Sequence, residues 1–344
     1  MIDFRYHLVS LISVFLALAI GIILGAGPLQ GALGDQLTDQ VGTLRAERNA
    51  LRDELNQAEA TATEQRRFID AAGDQLVAGA LTDKRVAVVD VDGAGDGVTG
   101  PLVEQLEAAG ATIVAQEALT ESWTAADEAT MRDTVAGGLR EGLADGLEEG
   151  TIGDETGTSA VLGAALTLAL TDADPVDPAL RSTEAADLQQ QLERFGLVDV
   201  EMAPEAPADA ILLVSGGETG AQGESPDDVD PAEWGVGSLV GLAGMAGDIT
   251  GATVVAGPTT ADGDLVSEVR ADDDVVSVVS TVSGTEQLTG RVVVPLAVAA
   301  QLGGTVDQYG FEEGATVLPA KPEEQDAQSD DASADGQETT GDEQ

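Results

Sequence analysis

The sequence predicts an α/β fold: an N-terminal transmembrane helix and a coiled coil, then a Rossmann-like, mostly parallel α/β domain. Three observations carry this. Leu8 to Ala26, LVSLISVFLALAIGIILGA, is nineteen residues without a charge, and a helix of that length spans roughly 28 Å, close to the hydrocarbon core of a bilayer. A seven-residue apolar repeat then runs from Leu37 to Ala72. From Lys84 onward, short Val-rich runs alternate with helix-like stretches, the pattern of a doubly wound sheet. The expected divisions are a cytoplasmic flank and anchor at 1–27, a coiled-coil helix at 34–79, the α/β domain at 84–315 and an acidic disordered tail at 321–344.

The anchor is flanked upstream by Arg5 and the amino terminus, whereas no Lys or Arg follows it before Arg45. The positive-inside rule therefore places the amino end in the cytoplasm and the rest of the chain outside it, a single-pass arrangement. A cleaved signal peptide is the competing reading, with Gly25, Ala26 and Gly27 as the small residues at a cleavage site. The length of the apolar run and the helical pattern after it favour retention. Ala17, Gly21 and Gly25 recur every fourth residue, a small-residue face on which two helices can approach closely. Gly and Ala are also frequent in any apolar segment.

In the repeat, Val41, Arg48, Leu55, Ala62 and Ile69 fall on one heptad position and Leu37, Leu44, Leu51, Ala58, Gln65 and Ala72 on the other. Such a seam predicts a parallel homodimer, with an amphipathic helix packed on its own domain as the alternative. Flanking charges do not choose between them: Glu47 would face Arg52 of a second copy favourably, and Glu54 would face Glu59 unfavourably. Attachment to one membrane raises local concentration and helps a weak seam to pair.

Gly73 to Gly79 are expected to loosen the helix. Arg85 to Val91 then reads as a buried parallel strand, Pro101 to Ala109 as a helix with proline in its first turn, and Thr112 to Ala115 as the next strand. Helix-like stretches at 125–147, 160–170 and 183–195 interrupt the alternation, the first weakened by Gly137, Gly138, Gly142 and Gly146. Strands are expected at 210–214 and 253–256 and helices at 232–246 and 264–270, and 275–279 and 291–300 complete the domain. Beyond Lys321 the chain is acidic and free of large apolar residues, so it cannot bury enough surface to offset its ordering entropy.

Charge narrows the functional classes. The 344 residues carry 15 Lys and Arg against 63 Asp and Glu, a net charge of −48. That surface repels nucleic acid and disfavours phosphate-rich ligands, and solubility or adaptation to high salt accounts for it. With no cysteine and one histidine, His7, thiolate catalysis, Cys-ligated metal sites and a Ser/His/Asp triad away from the membrane are all excluded. His7, beside Arg5 and Tyr6, reads as an interfacial anchor. Copper(I) prefers thiolate, thioether or imidazole ligands, and the soft donors are limited to His7, Met1, Met131, Met202 and Met245. Metal ligands therefore remain unknown.

Several motifs are candidates for chemistry. Gly95, Gly97 and Gly100 match G-x-G-x-x-G between a strand and a helix, with Glu117 near the end of the next strand, as in a dinucleotide site. Asp90, Asp92 and Asp96 crowd the same turn and would repel a phosphate, which favours a solvated loop. The same aspartates could hold a hard cation, although an acidic chain produces such clusters by chance. Asp272 to Asp274 and Asp227-Asp228 read as loops, and Ser215-Gly216-Gly217 as a turn without the upstream glycine of a nucleophile elbow. No cofactor, no catalytic residue and no enzymatic role are assigned.

The run FRYHLVSLISVFLALAIGIILGAGPL, followed by a heptad helix, by KRVAVVDVDG and by a last helix VVVPLAVAAQLGG, resembles the actinobacterial MctB family, described as copper transport proteins. The match in architecture extends over residues 1 to 315. It implies a membrane-anchored cell-envelope protein with a role in copper efflux or tolerance, and an outer envelope membrane as an alternative location. No copper ligands are carried over, and copper is implied by the family alone. SteB-like members imply another role: a structural scaffold in cell separation that recruits or regulates cell-wall enzymes through its coiled coil. The expected partners are the lipid bilayer, a second copy of the chain and a cell-envelope protein, with no nucleic acid. A single spanning helix forms no pore without oligomerising, and the α/β pattern lacks the repeated alternating strands of an outer-membrane barrel.

Overall fold

The structure, a computed structural model, describes residues 4–148, 150–217 and 230–319. The chain divides into two units at Phe68 and Ile69. The expected acidic tail and Asp227-Asp228 lie outside the described residues.

The first unit is built from α1 (Phe4–Val77). Its stretch Phe4–Gly25 is long and apolar enough to cross a membrane, and none of it is buried. Ser13, the polar residue midway along this stretch, donates its hydroxyl to the Val9 carbonyl at 2.7 Å, so its O–H is satisfied inside the helix, as lipid requires. Helix α1 is uninterrupted through the anchor and the heptad repeat, and one element carries both expected segments. Helical structure ends at Val77, with Gly79 in a left-handed turn (φ 77°). Gly73 does not loosen the helix as expected. A Cβ there would stand 2.7 Å from Val292 Cγ2, so the missing side chain is what brings the last turns of α1 close to a neighbouring helix.

Among the described residues, the second unit holds a seven-stranded sheet in the order β3-β2-β1-β4-β5-β6-β7. The strands are β1 (Arg85–Asp90), β2 (Thr112–Leu119), β3 (Val198–Met202), β4 (Ala210–Val214), β5 (Thr253–Ala256), β6 (Val279–Val282) and β7 (Gln308–Tyr309). Every pairing is parallel except β2 with β3 at the edge. In β1, Ala87 and Val89 enter one core and Val86 and Val88 the other, as the twofold period of a strand covered on both faces demands.

The first core lies beneath α4 (Ala129–Gly146), α5 (Thr158–Thr171), α7 (Gly235–Thr250) and α8 (Leu265–Ala271), with Trp123 fully buried in it. On the opposite face are α2 (Asp96–Ala108), α9 (Leu288–Leu302) and the end of α1. Gly163 lets α5 and α7 touch: a Cβ would come within 2.9 Å of Leu242 Cα. Single-turn α3 (Glu121–Thr124) follows β2, and α6 (Thr183–Arg194) precedes β3. Ser182 caps α6, accepting the Ala185 N–H at 2.9 Å.

Several sequence boundaries shift: β2 runs on to Leu119 and not Ala115, and α7 spans Gly235–Thr250 and not 232–246. Helix α2 starts at Asp96, so Pro101 lies inside it and not in its first turn. A tight turn ending at Gly95 (φ 69°) starts the helix early. The segment 275–279, to which the sequence gives no element type, begins as a 3-10 turn over Val275–Ser277, and β6 follows it. Asp272 Oδ1 accepts the N–H groups of Asp274 and Val275, both at 3.1 Å, which fixes the turn.

Candidate functional site

The chain leaves β1 toward β2 on one side of the sheet and later returns to build β4 on the other. In an open α/β sheet, ligands bind outside the carboxyl ends of the strands where the order reverses in this way. Four loops meet there, following β1, β4, β5 and β6.

The loop after β1 is organised by Asp90. Its Oδ1 accepts the N–H groups of Gly93 and Ala94 at 2.9 Å and of Asp92 at 3.3 Å, and its Oδ2 accepts that of Gly95 at 2.7 Å. The donors that would cradle a pyrophosphate are thus taken by the protein's own carboxylate, which weighs against a dinucleotide site at Gly95, Gly97 and Gly100. Asp92 accepts from Ser215 Oγ at 2.5 Å and from the Gly216 N–H at 2.6 Å, tying the β1 and β4 loops together. Burial pushes its carboxyl up from the usual value against those two bonds. Ser215 Oγ also accepts the Gly217 N–H at 3.1 Å, so the Ser215 segment is the expected turn. With their oxygens so occupied, Asp90 and Asp92 do not converge with Asp96 on a cation. Among the described residues no group of three His, Asp or Glu side chains is placed to hold a metal ion.

A cavity of about 300 Å³ opens beside this turn, between α2 and α9. Gly97, Val98 and Pro101 of α2 form one wall, Gly216 and Pro258 another, and Thr285, Glu286 and Arg291 a third. Burial opposes the charge of Glu286, but donors from Thr259, its N–H at 3.0 Å and its hydroxyl at 2.5 Å, hold its carboxyl below the usual value. No motif in the sequence announced Thr285 or Arg291. The available signal is a lone cation opening the apolar helix LTGRVVVPLAVAAQL in a strongly acidic chain.

Glu117, the acid expected to face a ribose, stands elsewhere. It lies on β2, is 2% exposed, and neither carboxylate oxygen has a hydrogen-bond partner. Burial pushes it up to about 7. The nearby Arg181 guanidinium and Gln189 amide moderate the shift, and Glu193 adds to it. Arg181 cannot fully compensate because its donors are spent on the carbonyls of Ala169, Pro204 and Ala185.

The whole of this architecture is spanned by one family model, described as "Copper transport outer membrane protein, MctB", which matches residues 1–319. The chain belongs to the MctB family. Curated MctB relatives, each named "Copper transporter MctB", include those of Mycobacterium tuberculosis and Mycobacterium bovis, 29% identical over 328 residues, which cover 92% of this chain and 98% of the relative. The Mycobacterium leprae protein is 28% identical over 327 residues, covering 92% of this chain and 99% of its own.

In this MctB-family chain the soft donors are scattered. Met245 lies on α7 in the first core with Met131 of α4 packed against it, Met202 is on edge strand β3, and His7 is exposed on α1. Met1 lies outside the described residues. The proposed pairing residues are on α1. Ala17, Gly21 and Gly25 are exposed, and a Cβ at either glycine would meet nothing within 4 Å. Val41, Leu44, Leu51 and Leu55 are 44%, 63%, 65% and 58% exposed. Ile69 is half-buried, and the side chain of Leu37 lies outside the described residues.

Proposed function

We propose that this chain is a membrane-anchored envelope protein that serves copper efflux or tolerance as a homodimer, its amino end cytoplasmic and its α/β domain on the far side of the membrane. The observation that carries this reading is α1: an unburied apolar stretch at Phe4–Gly25 continues without a break into a helix that leaves Val41, Leu44, Leu51 and Leu55 uncovered. Apolar side chains spaced in heptads on an uncovered helix gain by burial against a second copy. The small face at Ala17, Gly21 and Gly25 supports pairing inside the membrane. The copper role rests on the family and on the names of the mycobacterial relatives. Because one helix makes no pore and the soft ligands are scattered, the protein is proposed to act in copper handling through partners in the envelope, without a resident copper site and without catalysis.

Deletion of the gene should raise cellular copper and lower copper tolerance, measured by metal analysis and growth on copper. A SteB-like scaffold in cell separation is the second reading, favoured by the same uncovered stripe. Unchanged copper content together with daughter cells that fail to separate would establish it in place of the first. Pairing has its own test. Leu44→Cys and Leu51→Cys, placed singly in the full chain and oxidised in membranes, should each give a covalent dimer on non-reducing gels. Exclusively monomeric product would reject the seam.

A further inference from the structure

Three of the chain's 15 cations, Arg45, Arg48 and Arg52, stand close together on α1. The helix is unbroken there and all three side chains are exposed. Residues three or four positions apart are neighbours on a helix surface. At those spacings each of the three meets only uncharged residues or another of the three, although acids outnumber bases 63 to 15 in the whole chain. A single helix therefore stacks like charges here, which costs stability. Among the described residues none of the three forms an ion pair, and the Arg48 guanidinium donates only to the adjoining Asn49 Oδ1, at 3.2 Å. Glu47 is the matching acid. Its helix neighbours Thr43, Leu44, Ala50 and Leu51 are uncharged, it forms no ion pair among the described residues, and it does not face Arg48, which follows it directly in sequence.

The heptad positions supply the geometry. Arg48 occupies the seam position that Val41, Leu55, Ala62 and Ile69 hold elsewhere. In a parallel, in-register pair a side chain at that position enters a hole in the facing helix, and one edge of the hole is the residue just before its own equivalent. For Arg48 that residue is Glu47 of the second copy. Two arginines meeting at the seam repel, and each turns to the carboxylate beside it. The same carboxylate faces Arg52 across the pair. Glu47 of one copy thus lies between Arg48 and Arg52 of the other, and the twofold relation repeats the cluster on the opposite side. The flanking pairs alone are balanced, Glu47 with Arg52 against Glu54 with Glu59, and Arg48 breaks the tie.

We propose that Glu47 of each copy is held between Arg48 and Arg52 of the other, and that this charge cluster between chains makes the α1 seam select a second copy of this chain. The assignment rests on the pairing proposed for α1. It adds which side chains choose the partner: the seam accepts a helix that carries an acid immediately before the position opposite Arg48, as its own copy does.

The test uses the full chain in membranes, every copy carrying Leu44→Cys as the crosslinking reporter and one of two tags of different mass. One copy also carries Glu47→Arg, the other Arg48→Glu with Arg52→Glu. Either variant alone puts like charges throughout the cluster, so its covalent homodimer should fall roughly fivefold below that of the reporter alone. Expressed together, the two restore every opposite-charge contact, and the mixed dimer should return to the yield of the reporter alone. Rescue by the second copy is a result that altered helix propensity within one copy does not produce. Undiminished homodimer from either variant, or a mixed dimer no more abundant than the homodimers, would overturn the charge cluster and leave the seam standing. Monomer alone from the reporter without charge changes would reject the seam, and the cluster with it.

Discussion

Glu117→Gln is expected to stabilise the protein by about 3 kcal/mol at pH 8 and to leave its stability unchanged near pH 4. The cause is a carboxyl that burial pushes from the usual 4.5 up to about 7. Because the folded value lies above the unfolded one, the native state holds an extra proton between those two pH values. Stability therefore falls as pH rises through that window. The cost is absent below it and complete above about 7. Glutamine has nearly the same shape and carries no charge, so it removes the cost without opening a cavity. Urea unfolding of both proteins at the two pH values measures the difference, and an equal effect at both would show that Glu117 ionises without penalty.

Gly290→Ala is expected to destabilise the fold by about 3 kcal/mol. The new Cβ would stand 2.3 Å from the Gly284 carbonyl oxygen and 2.9 Å from Thr285 N. Both are backbone atoms, so no rotamer relieves the clash, and α9 must lift from its loop at the cost typical of overpacking. That movement separates Arg291, on the helix, from Thr285, on the loop. Gly142→Ala in α4 is the control: it is exposed with nothing within 4 Å of its Cβ, and the change should gain up to about 1 kcal/mol from helix propensity. Thermal unfolding of the two variants beside the parent protein distinguishes a packing effect from a general intolerance of alanine.

The elements that were legible in the sequence are those whose burial is written in apolar residues. Strands β1, β4 and β5 are runs of Val, Leu, Ile and Ala, and each was placed within a residue or so. Strand β6 has no clear signal in the sequence because its buried interior includes Ser280 and Thr281, whose hydroxyls are satisfied by distant partners. Ser280 Oγ accepts the Asp307 N–H at 3.3 Å, and Arg270 Nε donates to Thr281 Oγ1 at 2.8 Å. Edge strand β3, with exposed Glu201 and Met202, has one covered face at most and gives little pattern to read. The glycine motif marks the end of the sheet where the loops meet, and Asp90 accepts the N–H groups of the turn that it forms. Thr285 and Arg291 are separated from Gly97 by nearly two hundred residues, and only folding brings them to one cavity.

The four hydrogen bonds to Asp90 also bear on how this protein depends on its surroundings. In dinucleotide-binding doubly wound domains the turn after the first strand receives its counter-charge from a diffusing phosphate. A carboxylate tethered to the same chain completes the turn without the translational entropy that a free anion loses on binding. The turn is consequently complete without any free anion, so its geometry does not depend on the concentration of one.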